Sequence, residues 1–102
     1  MDLNQVTLTG MVERDPVTKT GDNGAVVGFT VRVVEINPSG QEFKVYVPCE
    51  AYGQATAQAE KLHAGDMVLI TGKLKWTAWN DKQGQKRTSL AVLARMVRVV
   101  GA

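Results

Sequence analysis

Apolar and polar positions alternate along most of this chain. Between Leu3 and Val12, Val6, Leu8 and Val12 oppose Thr7 and Thr9, the period-two pattern of a strand with one buried face. Asp15-Pro16 and Gly21-Asp22-Asn23-Gly24 punctuate the next segment, and Asn-Gly is a strong turn dipeptide. A second strand is expected from about Ala25 to Glu35, with Ala25, Val27, Phe29, Val31 and Val33 on one face and Val26, Gly28, Thr30, Arg32 and Val34 on the other. After a turn at Asn37-Pro38-Ser39-Gly40, a third runs from Gln41 to Ala51, with Phe43, Val45, Val47 and Cys49 inward and Lys44, Tyr46 and Glu50 outward. Phe29 and Cys49 read as core residues; Phe43 has core parity but lies near a loop, so its role stays open. One stretch has helical spacing: Gln54 to His63, rich in Ala, Gln, Glu and Lys, with Ala55, Ala59 and Leu62 as its apolar stripe and Gly65 as a stop. A fourth strand begins near Met67 and a fifth near Gln85, the latter carrying Leu90, Val92 and Met96 to Val100.

Three strands, a short helix, then two strands predict an all-β fold: a five-stranded Greek-key barrel of the OB type. The helix lies between strands 3 and 4 and plugs the barrel end. A short α+β sandwich is the competing architecture. With 102 residues and no linker, internal repeat or low-complexity tract, residues 1–102 make a single domain large enough to bury a core without disulfides.

Charge changes the picture through its distribution. The net +2 divides into +6 from Lys73 onward and −4 before it, so the last third can carry a local positive field. Cys49 is the lone cysteine and cannot form an internal disulfide, which fits a reducing, cytoplasmic setting. No secretory signal precedes Val6 and no run approaches 18 apolar residues, so no membrane segment is expected.

The richest chemistry lies between Gly72 and Arg87. Both tryptophans, Trp76 and Trp79, stand there among Lys73, Lys75, Lys82, Lys86 and Arg87, with Asp81 as the one acid. Read as a β-hairpin, this stretch joins π-faces to positive charge, and single-stranded nucleic acid asks for both. The alternative is an amphipathic hairpin whose lysines merely solvate it. Parity separates the tryptophans. Val68, Ile70, Gly72, Leu74 and Trp76 share the core parity, whereas Lys73, Lys75 and Trp79 share the other. Trp79 thus reads as a ligand contact, and Trp76 as a core, partner or ligand contact. Tyr46, beside Lys44, repeats the outward pattern on the third strand, as does Tyr52 if that strand continues. Arg32 points outward on the second. A β-bulge would invert these assignments for every later residue.

Other chemistry finds little support. One His and one Cys cannot assemble an ordinary zinc site. Ser39 and Ser89, the two serines, sit in no nucleophile elbow. No calcium loop and no phosphate-binding glycine loop is present. His63 reads as a helix-end residue. No catalytic residue, metal or cofactor is expected.

Taken in order, these segments resemble the bacterial single-stranded DNA-binding proteins over nearly the whole chain. The resemblance is carried by Asn4-Gln5-Val6-Thr7-Leu8-Thr9-Gly10 followed by Asp15-Pro16, and by Gly24 through Phe29-Thr30-Val31. It continues through Ala51-Tyr52-Gly53, Lys61 through Leu74, and Trp79-Asn80-Asp81-Lys82-Gln83-Gly84 with Arg87. It implies binding of single-stranded DNA in replication, recombination or repair, a nucleoid-associated place in the cytoplasm, and assembly into a dimer or tetramer. Position by position, Trp79 falls on a base-stacking tryptophan, Tyr46 where another usually stands, Tyr52 on a base-contacting phenylalanine, and Lys73 and Lys75 on basic positions. The candidate DNA-binding set is therefore Trp79, Tyr46, Tyr52, Lys73, Lys75, Trp76, Arg32, Lys44, Lys86 and Arg87. There are departures. The loop from Ile36 to Glu42 is short and lacks the family's aromatic residue. Pro48 removes a ladder donor from strand 3, implying an edge or a bulge. The sequence stops at Gly101-Ala102, without the family's linker and acidic tail, so either recruitment of replication partners proceeds otherwise or the piece is incomplete. Length and missing tail also resemble the primosomal replication protein B group, an alternative in which the chain serves replication restart mainly through protein partners.

Overall fold

The computed structural model describes residues 1–22 and 24–100. Asn23 of the expected Asn-Gly turn and the terminal Gly101-Ala102 lie outside the described residues. The elements are β1 (Val6–Val12), β2 (Val17–Gly21), β3 (Gly24–Ile36), β4 (Glu42–Tyr52), α1 (Ala55–Ala59), β5 (Met67–Asn80) and β6 (Lys86–Val99). They form one sheet in the order β1-β5-β6-β4-β3-β2, and β1 also pairs with β3. That last pairing, Met11 with Arg32 and Val12 with Val31, closes β1, β5, β6, β4 and β3 into a five-stranded ring. This is the OB-type barrel that the sequence predicts, with β2 added outside the ring as the partner of β3.

The alternation explains the core. Val27, Phe29 and Val31 of β3, Cys49 and Ala51 of β4, Val68 and Ile70 of β5 and Val92 and Ala94 of β6 are all buried, as the parity of each strand requires. Phe29 and Cys49 take the core places expected of them, while Phe43 and Val45, of the same parity, are exposed near the β3–β4 turn. Gly72 is fixed by packing: a Cβ there would run into the carbonyl of Leu93. The β5–β6 register also shifts at this point, from Thr71 opposite Met96 to Gly72 opposite Ala94. Arg95 is the extra residue of this bulge, and beyond it the buried positions of β6 change parity from Ala94 to Val97. Because the extra residue sits on β6, the parity of β5 holds to its tip.

Three local features differ from expectation. First, β2 is a sixth strand; all five of its residues are exposed, so no apolar alternation marks it. Second, the helix is shorter than Gln54–His63. Ala55, Ala59 and Leu62 are buried as a stripe, but after Ala59 the chain tightens into turns, Lys61 N–H donating to Gln58 O and Leu62 N–H to Ala59 O. Asp66 Oδ2 accepts the N–H of His63 at 2.9 Å and Asp15 Oδ1 that of Ala64, so side-chain oxygens take donors that a longer helix would need. Third, Pro48 causes no bulge. The β3–β4 register runs unbroken from Val26–Tyr52 to Ile36–Glu42, and the β4–β6 pairing covers Cys49 to Ala51, so Pro48 lies just outside that second ladder. No helix is long and apolar enough to cross a membrane.

Candidate nucleic-acid interface

β4 and β6 run parallel, with Cys49 beside Val92, so the β3–β4 turn and the β5–β6 turn leave the barrel at the same end. Beyond Gly72, β5 and β6 continue as a two-stranded arm whose residues are mostly exposed. Cross-strand partners share a face of the arm. One face carries Lys73, Lys75 and Trp79, with Leu93, Ala91 and Arg87 opposite them. The other carries Leu74 and Trp76, with Val92 and Leu90 opposite. The two tryptophans therefore lie on opposite sides, as parity predicts. Trp76 is not part of the core: it is 61% exposed, and Leu74 and Leu90 beside it are also uncovered.

The face of Trp79 is continuous with the outer face of the barrel. Glu50 of β4 pairs with Leu93 of β6, and Leu93 with Lys73 of β5, so these three form one row. The Lys75 ammonium closes the contact, donating to Glu50 Oε1 at 3.2 Å. By alternation Tyr46 and Tyr52 share the face of Glu50, as does Lys44. Tyr46 is 54% exposed, Trp79 47% and Tyr52 40%: three partly exposed aromatic residues on one side of the sheet.

The cations differ in what they have available. Arg87 donates from Nε to Asp81 Oδ2 at 2.9 Å, and Asp81 Oδ1 also accepts the backbone N–H groups of Gln83 and Gln85. These bonds, the Gln85 N–H foremost and then the Arg87 guanidinium, hold the Asp81 carboxyl below its ordinary pKa. With Gly84 at φ +78°, they fix the tip of the arm. Arg32, expected to point outward, is half-buried, its Nη2 directed at Met11 Sδ at 3.5 Å. Among the described residues Lys44, Lys73 and Lys86 form no ion pair and are exposed.

A further part of this face is not marked by the sequence pattern. Between β2 and β4 lies an open groove of about 570 Å³, to which Arg14, Val17, Lys19, Gly28, Thr30 and Pro48 contribute. Gly28 and Thr30 have the outward parity already assigned to Arg32. The wall was illegible because β2, which pairs Val17 with Gly28 and Lys19 with Val26, has no apolar alternation to announce it. A run of β-branched residues, Val17, Thr18 and Thr20, bounded by Pro16 and Gly21, is the signal that could have found it. Cys49 lies under this face, buried, and desolvation pushes its thiol up to about 12. Among the described residues no cluster of His, Cys, Asp or Glu side chains has the makings of a metal site.

The chain is similar to known proteins over almost all of its length. The model of the single-strand binding protein family matches residues 3–100. A single-stranded DNA-binding protein of Deinococcus radiodurans is 32% identical over 96% of this chain, which spans 34% of that relative. One of Caldanaerobacter subterraneus subsp. tengcongensis is 31% identical over 94% of the chain and 67% of the relative. One of Mycobacterium leprae is 33% identical over 85% of the chain and 56% of the relative. The chain thus spans between about a third and two thirds of these relatives' lengths.

Proposed function

This chain belongs to the single-strand binding protein family, and we propose that it binds single-stranded DNA along the outer face of β3, β4 and the β5–β6 arm. The observation that carries this reading is the placement of Tyr46, Tyr52 and Trp79, half-exposed, on the face that also holds Lys44, Lys73 and Lys75. Bases stack on the three rings, a contact that every base can make and that is therefore tolerant of sequence. The lysines neutralise phosphates along the path, with Arg87 at the arm tip and Arg32 beside Tyr46; Lys86, expected in the same set, pairs with Asn80 and falls on the other face of the arm. The chain acts by binding and not by chemistry, in the replication, recombination or repair of DNA, and at the nucleoid. The names of the relatives favour this over a restart factor acting mainly through protein partners.

Assembly into two or four copies belongs to the same reading. The barrel offers one strand a short path, and a second copy lengthens it. Leu74, Trp76 and Leu90, uncovered on the side of the arm away from Lys73 and Lys75, have the apolar character such a contact needs. Light scattering with and without an oligonucleotide measures the stoichiometry. For DNA binding itself, poly-dT is added at low salt while tryptophan emission is followed. Quenching that reverses as salt is raised is expected; no quenching together with no gel shift refutes the proposal.

A further inference from the structure

Between Tyr46 and Tyr52 four register rows cross the outer face: Arg32 with Tyr46, Thr30 with Pro48, Gly28 with Glu50, and Val26 with Tyr52. β2 extends the last two, Val17 joining Gly28 and Lys19 joining Val26. The open groove of about 570 Å³ lies within this stretch, among Val17, Gly28, Thr30 and Pro48. Its volume falls in the range of small-ligand sites, about 300–1,000 Å³. Towards Tyr46 it shares Arg14 and Thr30 with the depression which that ring lines. Tyr46 and Tyr52 stand about 20 Å apart at the rise of a strand, so a chain of nucleotides that touches both rings crosses the groove.

Gly28 keeps the groove open. A glycine inside a strand weakens it and often marks a close approach by backbone or ligand. Gly10 and Gly72 are explained by backbone: a Cβ would run into the Arg32 carbonyl at the first and the Leu93 carbonyl at the second. Nothing of the kind holds Gly28. Its φ is not positive, and a Cβ there would meet only the Val17 carbonyl, at 3.9 Å, an ordinary contact. The space above it is free for a molecule from outside, and Val17 and Pro48, both exposed, give that space apolar walls. The charges suit a phosphate chain. Arg14 and Lys19 are exposed, and among the described residues neither forms an ion pair. The two acids of the lining are engaged: Asp15 Oδ1 accepts the N–H of Ala64 at 2.9 Å, and Glu50 Oε1 the Lys75 ammonium at 3.2 Å.

The geometry points to a nucleotide site that no aromatic ring supplies: resting on the binding of single-stranded DNA proposed above, the groove seats one nucleotide between those stacked on Tyr46 and Tyr52. Its base lies over Gly28, against Val17 and Pro48. Its flanking phosphates meet Arg14 towards Tyr46 and Lys19 in the row of Tyr52. An apolar seat reads no base edge, so this site is as tolerant of sequence as the rings are. It brings β2, an edge strand with no buried face, into the DNA path. A segment of another protein is the other occupant such a groove admits; the unpaired cations at both ends and the rings on either side favour the DNA strand.

The test fills the groove without altering a charge. Gly28→Ile sets a strand-favouring side chain over the floor, and anisotropy of labelled oligo-dT is followed from low to high salt. Expelling the nucleotide is expected to weaken binding by about fivefold or more. It also lowers the slope of log affinity against log salt by about 0.7 or more, one phosphate contact on a single strand, although no charge has been removed. Lys19→Gln and Arg14→Gln, both at exposed positions, are each expected to lower the slope by about 0.7. Urea unfolding shows whether Gly28→Ile is folded; if it is not, the two charge variants decide alone. A natural slope in folded Gly28→Ile, or in both charge variants, overturns the inference and is the result that a protein segment in the groove would give, while DNA binding itself stands. Failure of the natural protein to bind the oligonucleotide removes the proposed function, a separate outcome.

Discussion

Replacing Trp79 with alanine removes one ring from the outer face and leaves the barrel untouched, because the residue lies on the arm beyond Gly72, opposite Arg87. The residue is 47% exposed, so about half of its surface is available to a base. Base–aromatic stacking contributes about 1–3 kcal/mol per base. For a ring of which roughly half is available, the lower part of that range, about 1–2 kcal/mol, corresponds to about 5- to 30-fold in affinity. Trp76→Ala removes a ring of the same size from the other side of the same arm, next to Leu90, and is expected to change affinity for a short oligonucleotide by less than about twofold. Anisotropy of labelled oligo-dT at low salt measures both. Tryptophan emission gives an independent reading: in Trp76→Ala the remaining Trp79 is still quenched by DNA, whereas in Trp79→Ala the remaining Trp76 is not. If Trp76→Ala weakens binding as much as Trp79→Ala, or retains no quenching, the assignment of faces is wrong.

Four other outcomes follow from the geometry. Lys73→Gln lowers the slope of log affinity against log salt by about 0.7, the value for one phosphate contact on a single strand; an unchanged slope excludes Lys73 from the path. Gly72→Ala forces the β5–β6 ladder apart at the Leu93 carbonyl and is expected to destabilise the fold by about 1–3 kcal/mol in urea, so a natural unfolding midpoint in this variant contradicts the close approach. Asp81 has a folded pKa below its unfolded one, so the stability it contributes is present above the unfolded value of 3.8 and is lost as pH falls through the folded value; Asp81→Asn therefore flattens the acid limb of the stability curve, measured by urea unfolding at several pH values. Cys49, buried and with its thiol pushed up to about 12, reacts with a disulfide reagent only as fast as the protein opens, and immediate labelling of the native protein places the thiol outside the core.

Legibility followed burial. Wherever a strand buries one face, as in β3 with Val27, Phe29 and Val31, alternation located the strand and its inner side, and the ring of five strands followed from their order. Where neither face is buried, alternation is silent: β2 escaped notice for that reason, and with it the wall of the groove formed by Val17 and Lys19. Parity also says which side a residue takes without saying whether anything covers it. Leu74 and Trp76 have core parity and are exposed because the arm has left the barrel by then. Helix length was misjudged because composition speaks for Gln54–His63, while Asp15, 49 positions away from Ala64, takes a backbone donor that no local pattern anticipates. The bulge at Arg95 was equally silent, and it spared the candidate face because the extra residue fell on β6.

The positive charge of the arm is smaller in effect than its count of lysines and arginines. Lys75 is held by Glu50 and Arg87 by Asp81, so two of its basic residues meet an acid before they meet a phosphate. These pairs are exposed, and such contacts contribute at most about 1 kcal/mol, so a phosphate can compete for either cation. Their larger consequence is geometric: one ties the arm to β4 and the other fixes its tip, on the face that Trp79 shares with Tyr46 and Tyr52. The groove between β2 and β4 adds Arg14 and Lys19 at the far end of the same face. Asp15 and Glu50 line that groove too, so along the proposed path cations alternate with acids beyond the hairpin as well as on it. A path of this kind gains affinity from many weak phosphate contacts, so single lysine substitutions alter the salt slope more visibly than the affinity. The rings, being few and fixed, carry the larger individual losses, and for that reason the tryptophan pair separates the two faces more sharply than any lysine can.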